Sequence, residues 1–132
     1  MGGLLTHVSV ALVGCLIILL FSKKLKLGIA FAVGQLAPDS IRFGITGLFD
    51  EKYTFGQIVQ DGLFWELAFT HYLSTWIAVF LVITGLLFFL YKKKKMNKKK
   101  FKEWLIADAM LLLGIVIHLI IDATIIEKSF WI

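Results

Sequence analysis

The chain has 132 residues, 59% of them hydrophobic, and a mean hydropathy of +0.87. Soluble domains run near 45–50% apolar, and a chain this short has too little interior to hide the excess. The formal charge of +5 sits largely in two lysine clusters that abut apolar runs, so the basic character marks membrane topology rather than a nucleic-acid surface.

The first apolar run, about residues 4–21, is long enough to cross a bilayer. It lacks a basic segment ahead of it and carries its charge afterwards, unlike a secretory signal. Met1-Gly2-Gly3-Leu4-Leu5-Thr6 fits the myristoylation pattern, but a span that starts at once makes the match accidental. Cys15, the single cysteine, lies mid-span and reads as a small apolar residue, with no disulfide or zinc-ribbon partner. Lys23, Lys24 and Lys26 separate this run from a second, about 27–45, which Pro38, Asp39 and Arg42 interrupt. A helix there is expected to be short or kinked near Pro38. Residues 46–66 form a polar loop with room for a short amphipathic helix, and Asp50, Glu51 and Asp61 read as solvated acids.

The third span, about 67–91, has Trp65 and Trp76 as expected interfacial anchors. Lys92 to Lys95, Lys98 to Lys100 and Lys102 make the second basic loop, and the fourth span runs from 104 to 126. Asp108, near the start of that span, is expected to face Lys102 or the interface. With one proline and no linker, residues 1–132 form a single domain. The expected fold is all-α, an integral membrane four-helix bundle.

Both lysine loops fall on the same side of such a bundle, which the positive-inside rule makes cytoplasmic. Both termini and the 46–66 loop then face outward. The remaining polar residues gather in the outer half: His7 in span one, Asp39 in span two, His71 in span three, His118 and Asp122 in span four. At 1.5 Å per residue all five lie about 20–30 Å above the inner boundary. Each is an ionisable group in hydrocarbon, which costs a few kcal/mol unless paired or functional. His118 and Asp122 are spaced i, i+4 and share one helix face. Imidazoles and carboxylates converging from neighbouring helices suit a hard or borderline divalent ion. The blander reading is that each histidine is interfacial and that Asp39 caps a helix.

Four short stretches carry a family resemblance: Thr6-His7, Ala37-Pro38-Asp39, Phe69-Thr70-His71 and His118-Leu119-Ile120-Ile121-Asp122. In order and spacing they resemble the prokaryotic membrane-bound metal-dependent hydrolase-like family. That family includes the LexA-binding inner-membrane hydrolase type and is distantly similar to zinc-dependent phospholipase C. The resemblance runs from Thr6 to Asp122, with only apolar similarity between the motifs. Three positions depart from it. The second motif typically continues to an Asp and a His where this chain has Ile41 and Arg42, and Glu66 stands near a place that often holds a further His. A full member implies two or three metals; here a single ion is easier to build.

The leading expectation, from the convergence at one depth, is a divalent metal, zinc first, held by His7, His71 and His118, with Asp39 and Asp122 as ligands or as partners that orient an imidazole. Glu66 or Asp39 would serve as general base and Arg42 would bind a phosphate. The substrate would be a phospholipid or other lipid-linked phosphoester at the outer face. Other expected partners are membrane lipids, with anionic headgroups at the lysine clusters, and a second copy of the chain in a homo-oligomer; nucleic acid is not expected. Two readings from other classes stay open. One is a haem-binding redox bundle with axial histidines. The other is a non-enzymatic scaffold, assembly factor or transport subunit whose polar residues only join helices.

Overall fold

The computed structural model describes residues 2–49, 57, 60 and 62–126, and these contain helices and no strand. Helix α1 spans Gly2–Ser22 and α2 spans Leu25–Phe49. A short helix α3, Gly62–Glu66, runs into a 3-10 turn, Leu67–His71. Helix α4 spans Leu73–Lys92, and α5, Lys98–Ile121, ends in a π-helical turn at Asp122–Ile126. The four long helices form the bundle expected from the sequence. Asp50, Glu51, Asp61 and the Trp65 side chain lie outside what is described.

Three stretches are long and apolar enough to cross a membrane: Leu5–Ser22, Leu73–Lys92 and Lys98–Thr124. Their outer faces are apolar and open, with Leu12, Leu16, Leu20, Leu81, Val82 and Leu86 all exposed. A water-soluble bundle would turn such residues inward; here lipid is the matching solvent. Helix α2 is the central element, packed against both α1 and α5. Its polar residues face the interior: Gln35, Arg42 and Thr46 are buried and lie three or four residues apart around Asp39.

Three boundaries differ from the sequence reading. The third span does not begin at 67: residues 67–71 form a separate 3-10 turn, the extended Tyr72 breaks the chain, and the α-helix starts at Leu73. Helix α2 does not end at Pro38 but continues to Phe49. A proline inside a helix removes one backbone bond, that to the Gly34 carbonyl, and the packing on either side of α2 holds the rest of the helix together. The fourth helix begins at Lys98 rather than Trp104, because the Asn97 side chain caps it, accepting from Lys100 N at 2.8 Å. Trp76 is also not an interfacial anchor. It is buried with Ile115 and Leu119, and its Nε1–H donates to the Thr70 carbonyl at 2.6 Å. That bond ties the 3-10 turn to α4.

Glycines bring the central helices together. A Cβ at Gly34 would strike the Leu111 carbonyl, and one at Gly114 would strike the Phe31 carbonyl, so α2 and α5 cross backbone against backbone. Helices α1 and α2 meet similarly, with Gly14 against the Phe31 ring and Gly28 against Cys15. Lipid gives no hydrophobic drive for helix pairing, so close contact between small residues supplies it. At the other face, Thr84 Oγ1–H donates to Asp108 Oδ2 at 2.9 Å, joining α4 to α5. Asp108 is thus buried between helices rather than turned to Lys102.

Gly114→Val is therefore expected to force α2 and α5 apart, at a cost of about 1–3 kcal/mol for overpacking. Gly44→Ala meets nothing within 4 Å and should be neutral or stabilising, by up to about 1 kcal/mol. Thermal unfolding of both variants in detergent, followed by circular dichroism, checks the contrast.

Candidate metal centre

The Gly34–Gly114 crossing decides what lies one turn further along each helix. Gln35 follows Gly34, and His118 is four residues after Gly114 on the same face. The contact places the His118 imidazole against the α2 backbone, where Nδ1 lies 2.7 Å from the Gln35 carbonyl oxygen. A carbonyl can only accept, so Nδ1 carries the proton. Nε2 of the neutral ring then holds a lone pair. It is buried and makes no well-aligned hydrogen bond, although Asp122 Oδ2 lies 3.1 Å away.

His71 is fixed by the same logic. Thr70 Oγ1–H donates to the Leu67 carbonyl at 2.9 Å, so its oxygen is free to accept the His71 Nδ1–H at 3.1 Å. His71 Nε2 is again the lone-pair nitrogen. It faces Asp39 Oδ1 at 3.3 Å and Asp122 Oδ2 at 3.5 Å, while His118 Nε2 is 3.7 Å from Asp39 Oδ1.

Four acceptor atoms from four different residues thus face one another, all within 4.8 Å. Without a cation between them their lone pairs repel. A tetrahedral ion with bonds of about 2.0–2.1 Å sets its donor atoms about 3.3–3.4 Å apart. The four imidazole-to-carboxylate separations run from 3.1 to 3.7 Å. Asp39, His71, His118 and Asp122 form a group that can hold a metal ion.

His7 stands beside this group rather than in it. Gln35 Nε2 donates to His7 Nδ1 at 3.1 Å, which leaves the proton on Nε2, and that proton meets Asp122 Oδ1 at 2.8 Å. Asp122 is therefore held from both sides, with Oδ1 to His7 and Oδ2 toward the histidines of the group. The His7 and His118 rings stack with centroids 4.1 Å apart, so α1 also limits where His118 can move. Burial is uneven. The side chains of His7, His118 and Asp122 are 1, 0 and 8% exposed, against 13% for His71 and 19% for Asp39. The group is closed toward α1 and α5 and open along its Asp39–His71 edge.

The other sequence candidates fall outside the four-atom group. Arg42 is buried one turn beyond Asp39, where Thr46 Oγ1–H donates to its carbonyl at 2.9 Å. Glu66 is exposed at the end of α3. Ile41, at a position where the resemblance led one to look for a ligand, packs against the Trp76–Ile115–Leu119 cluster and serves as core.

Two residues escaped the sequence reading. Gln35 holds His7 with its side chain and His118 with its carbonyl. Its i, i+4 relation to Asp39 becomes visible only once α2 is known to pass through Pro38. Thr70 sat inside a noted motif, but its acceptor role depends on the 3-10 turn that engages its own proton. No protein-family model, curated protein or solved structure matches this chain.

Long-range proton–nitrogen correlation NMR of the histidines in detergent is expected to show Nδ1–H tautomers for His71 and His118 and an Nε2–H tautomer for His7. Thr70→Val removes the acceptor that orients His71. Loss of such a partner typically weakens metal affinity about 10–100-fold, a change that competition with a chromogenic chelator would read.

Proposed function

We propose that this protein is a membrane-embedded, zinc-dependent hydrolase of lipid-borne phosphoesters. The observation that carries the reading is the pair of lone-pair imidazole nitrogens facing two carboxylate oxygens at the spacing of a tetrahedral ion. A mixed nitrogen and oxygen donor set of this kind suits zinc better than calcium or magnesium, which prefer oxygen alone. The compactness of the group favours a bare ion over a flat haem macrocycle. The family resemblance of the four motifs points the same way.

A zinc ion held by these residues would need a further position for water, on the more open Asp39–His71 side; there it would lower the pKa of that water toward neutrality and polarise the scissile oxygen. The residues of the chain do the remainder. His118 and Asp122, locked by Gln35 and His7, fix the buried side of the centre. Asp39 and His71 border the more open edge, the side from which a substrate would approach. Asp39, whose Oδ1 faces both imidazoles, would hold the ion through that oxygen and could accept a proton from water on its other one. Glu66, exposed five residues before His71, is the other candidate base. Arg42, one turn beyond Asp39 on α2, would supply positive charge for the phosphate.

In the bilayer, α2 would cross as a fourth span, its polar stripe shielded by α1 and α5. The lysine clusters would face the cytoplasm and the metal group would lie near the opposite surface. Asp122 is 18 residues beyond Trp104, a rise of about 27 Å along α5.

Elemental analysis of the purified protein is expected to give one zinc per chain, lost in His118→Ala. Reconstituted protein should release phosphorylated headgroups from phospholipid vesicles in a chelator-sensitive reaction, and Asp39→Asn should lower that rate at least about 100-fold. A wild-type protein without stoichiometric metal, with full thermal stability in chelator, would favour the scaffold reading instead.

A further inference from the structure

The lysine end of the bundle carries a second site, independent of the metal group. Only Lys23 and Lys24 separate α1 from α2, and Lys23 turns the chain in the left-handed region with φ 54°. Lys24 N–H donates to Ser22 Oγ at 3.1 Å and the Lys24 carbonyl accepts from Leu27 N at 3.0 Å, so the corner is fixed by its own backbone. This corner lies against the first turns of α5. Lys26 Nζ sits 3.4 Å from the centroid of the Trp104 ring, which holds the ammonium in place by cation–π attraction. Between the two elements is a cavity of about 240 Å³ lined by Lys24, Leu25, Lys26, Leu27, Glu103 and Ile106.

The lining has two characters. Lys24, Lys26 and Glu103 provide two positive charges and one negative, a surplus of one. Leu25, Leu27 and Ile106 are apolar, and exposed Leu25, Ile29 and Ile106 offer apolar surface on the same two helices. Trp104 is half exposed, as an indole at a membrane–water interface would be. A basic pocket between helices at this level is a headgroup site in kind.

We infer that this cavity binds one anionic phospholipid whose headgroup carries hydroxyls, the phosphatidylglycerol class. The single charge of the phosphodiester matches the surplus charge of the pocket. Lys24 and Lys26 hold the phosphate, Glu103 accepts from a headgroup hydroxyl, and an acyl chain follows the leucine and isoleucine surface. A zwitterionic lipid lacks the net charge, and a phosphomonoester dianion is repelled by Glu103.

Native mass spectrometry of the detergent-purified protein, titrated with phosphatidylglycerol, phosphatidylethanolamine or phosphatidylcholine, tests this. One phosphatidylglycerol should be retained at least about 10-fold more strongly than either zwitterionic lipid. Lys24→Gln with Lys26→Gln should abolish the preference, while Lys98→Gln with Lys99→Gln, which removes equal charge from the other cluster, should keep it. Equal retention of the three lipids, or equal loss in both double variants, would overturn the inference. All four lysines are at or near the surface, and zinc content read on the same samples separates failure of this site from failure of the metal centre.

Discussion

The backbone-to-backbone crossing of α2 and α5 at Gly34 and Gly114 is the contact on which the site depends. A Cβ at either position would overlap a backbone carbonyl of the facing helix and force the helices apart. The His118 imidazole would then lose the Gln35 carbonyl at 2.7 Å, and with it the proton on Nδ1. The tautomer of a metal-ligating histidine is set by what its other nitrogen meets. Here that partner is main chain, which cannot rotate away. The packing of small residues, the usual device for joining helices in lipid, thus also determines the chemistry of a ring nitrogen one turn away.

The same economy explains why so many polar groups can be buried in one small bundle. A charged or polar residue in hydrocarbon is costly unless satisfied, and most of the buried set here is paired between helices. Gln35 joins α1 to α2 through His7, His7 joins α1 to Asp122 at the end of α5, and Thr84 with Asp108 joins α4 to α5. The exception is the set of four acceptors that face one another. Among the described residues, buried Gln35 Oε1 and Asp108 Oδ1 also lack a partner, but only in this set do several such atoms converge where one cation could satisfy them.

Much of this was legible in the sequence because lipid imposes long apolar runs and lysine-marked loops, and both survive without knowledge of packing. The convergence of His71, His118, Asp39 and Asp122 also followed from their placement in one layer about 20–30 Å above the inner boundary, since depth along a helix is simple arithmetic. What depth could not give is rotation about the helix axis. His7 has the right level but faces Asp122 instead of joining the group, and Trp76 has the position of an anchor but points into the core. Pro38 obscured the rest. Breaking α2 there hid the spacing of Gln35 and Asp39, and only flanking helices could show that the helix continues.

The central claim is that two imidazoles and two carboxylates share one ion. X-ray absorption at the zinc edge of the purified protein tests it most directly. The account requires a light-atom shell at about 2.0 Å, fitted by two imidazoles and two oxygens, or three when a water is bound. A sulfur at about 2.3 Å, implicating Cys15, or a fit that demands three imidazoles, would contradict it.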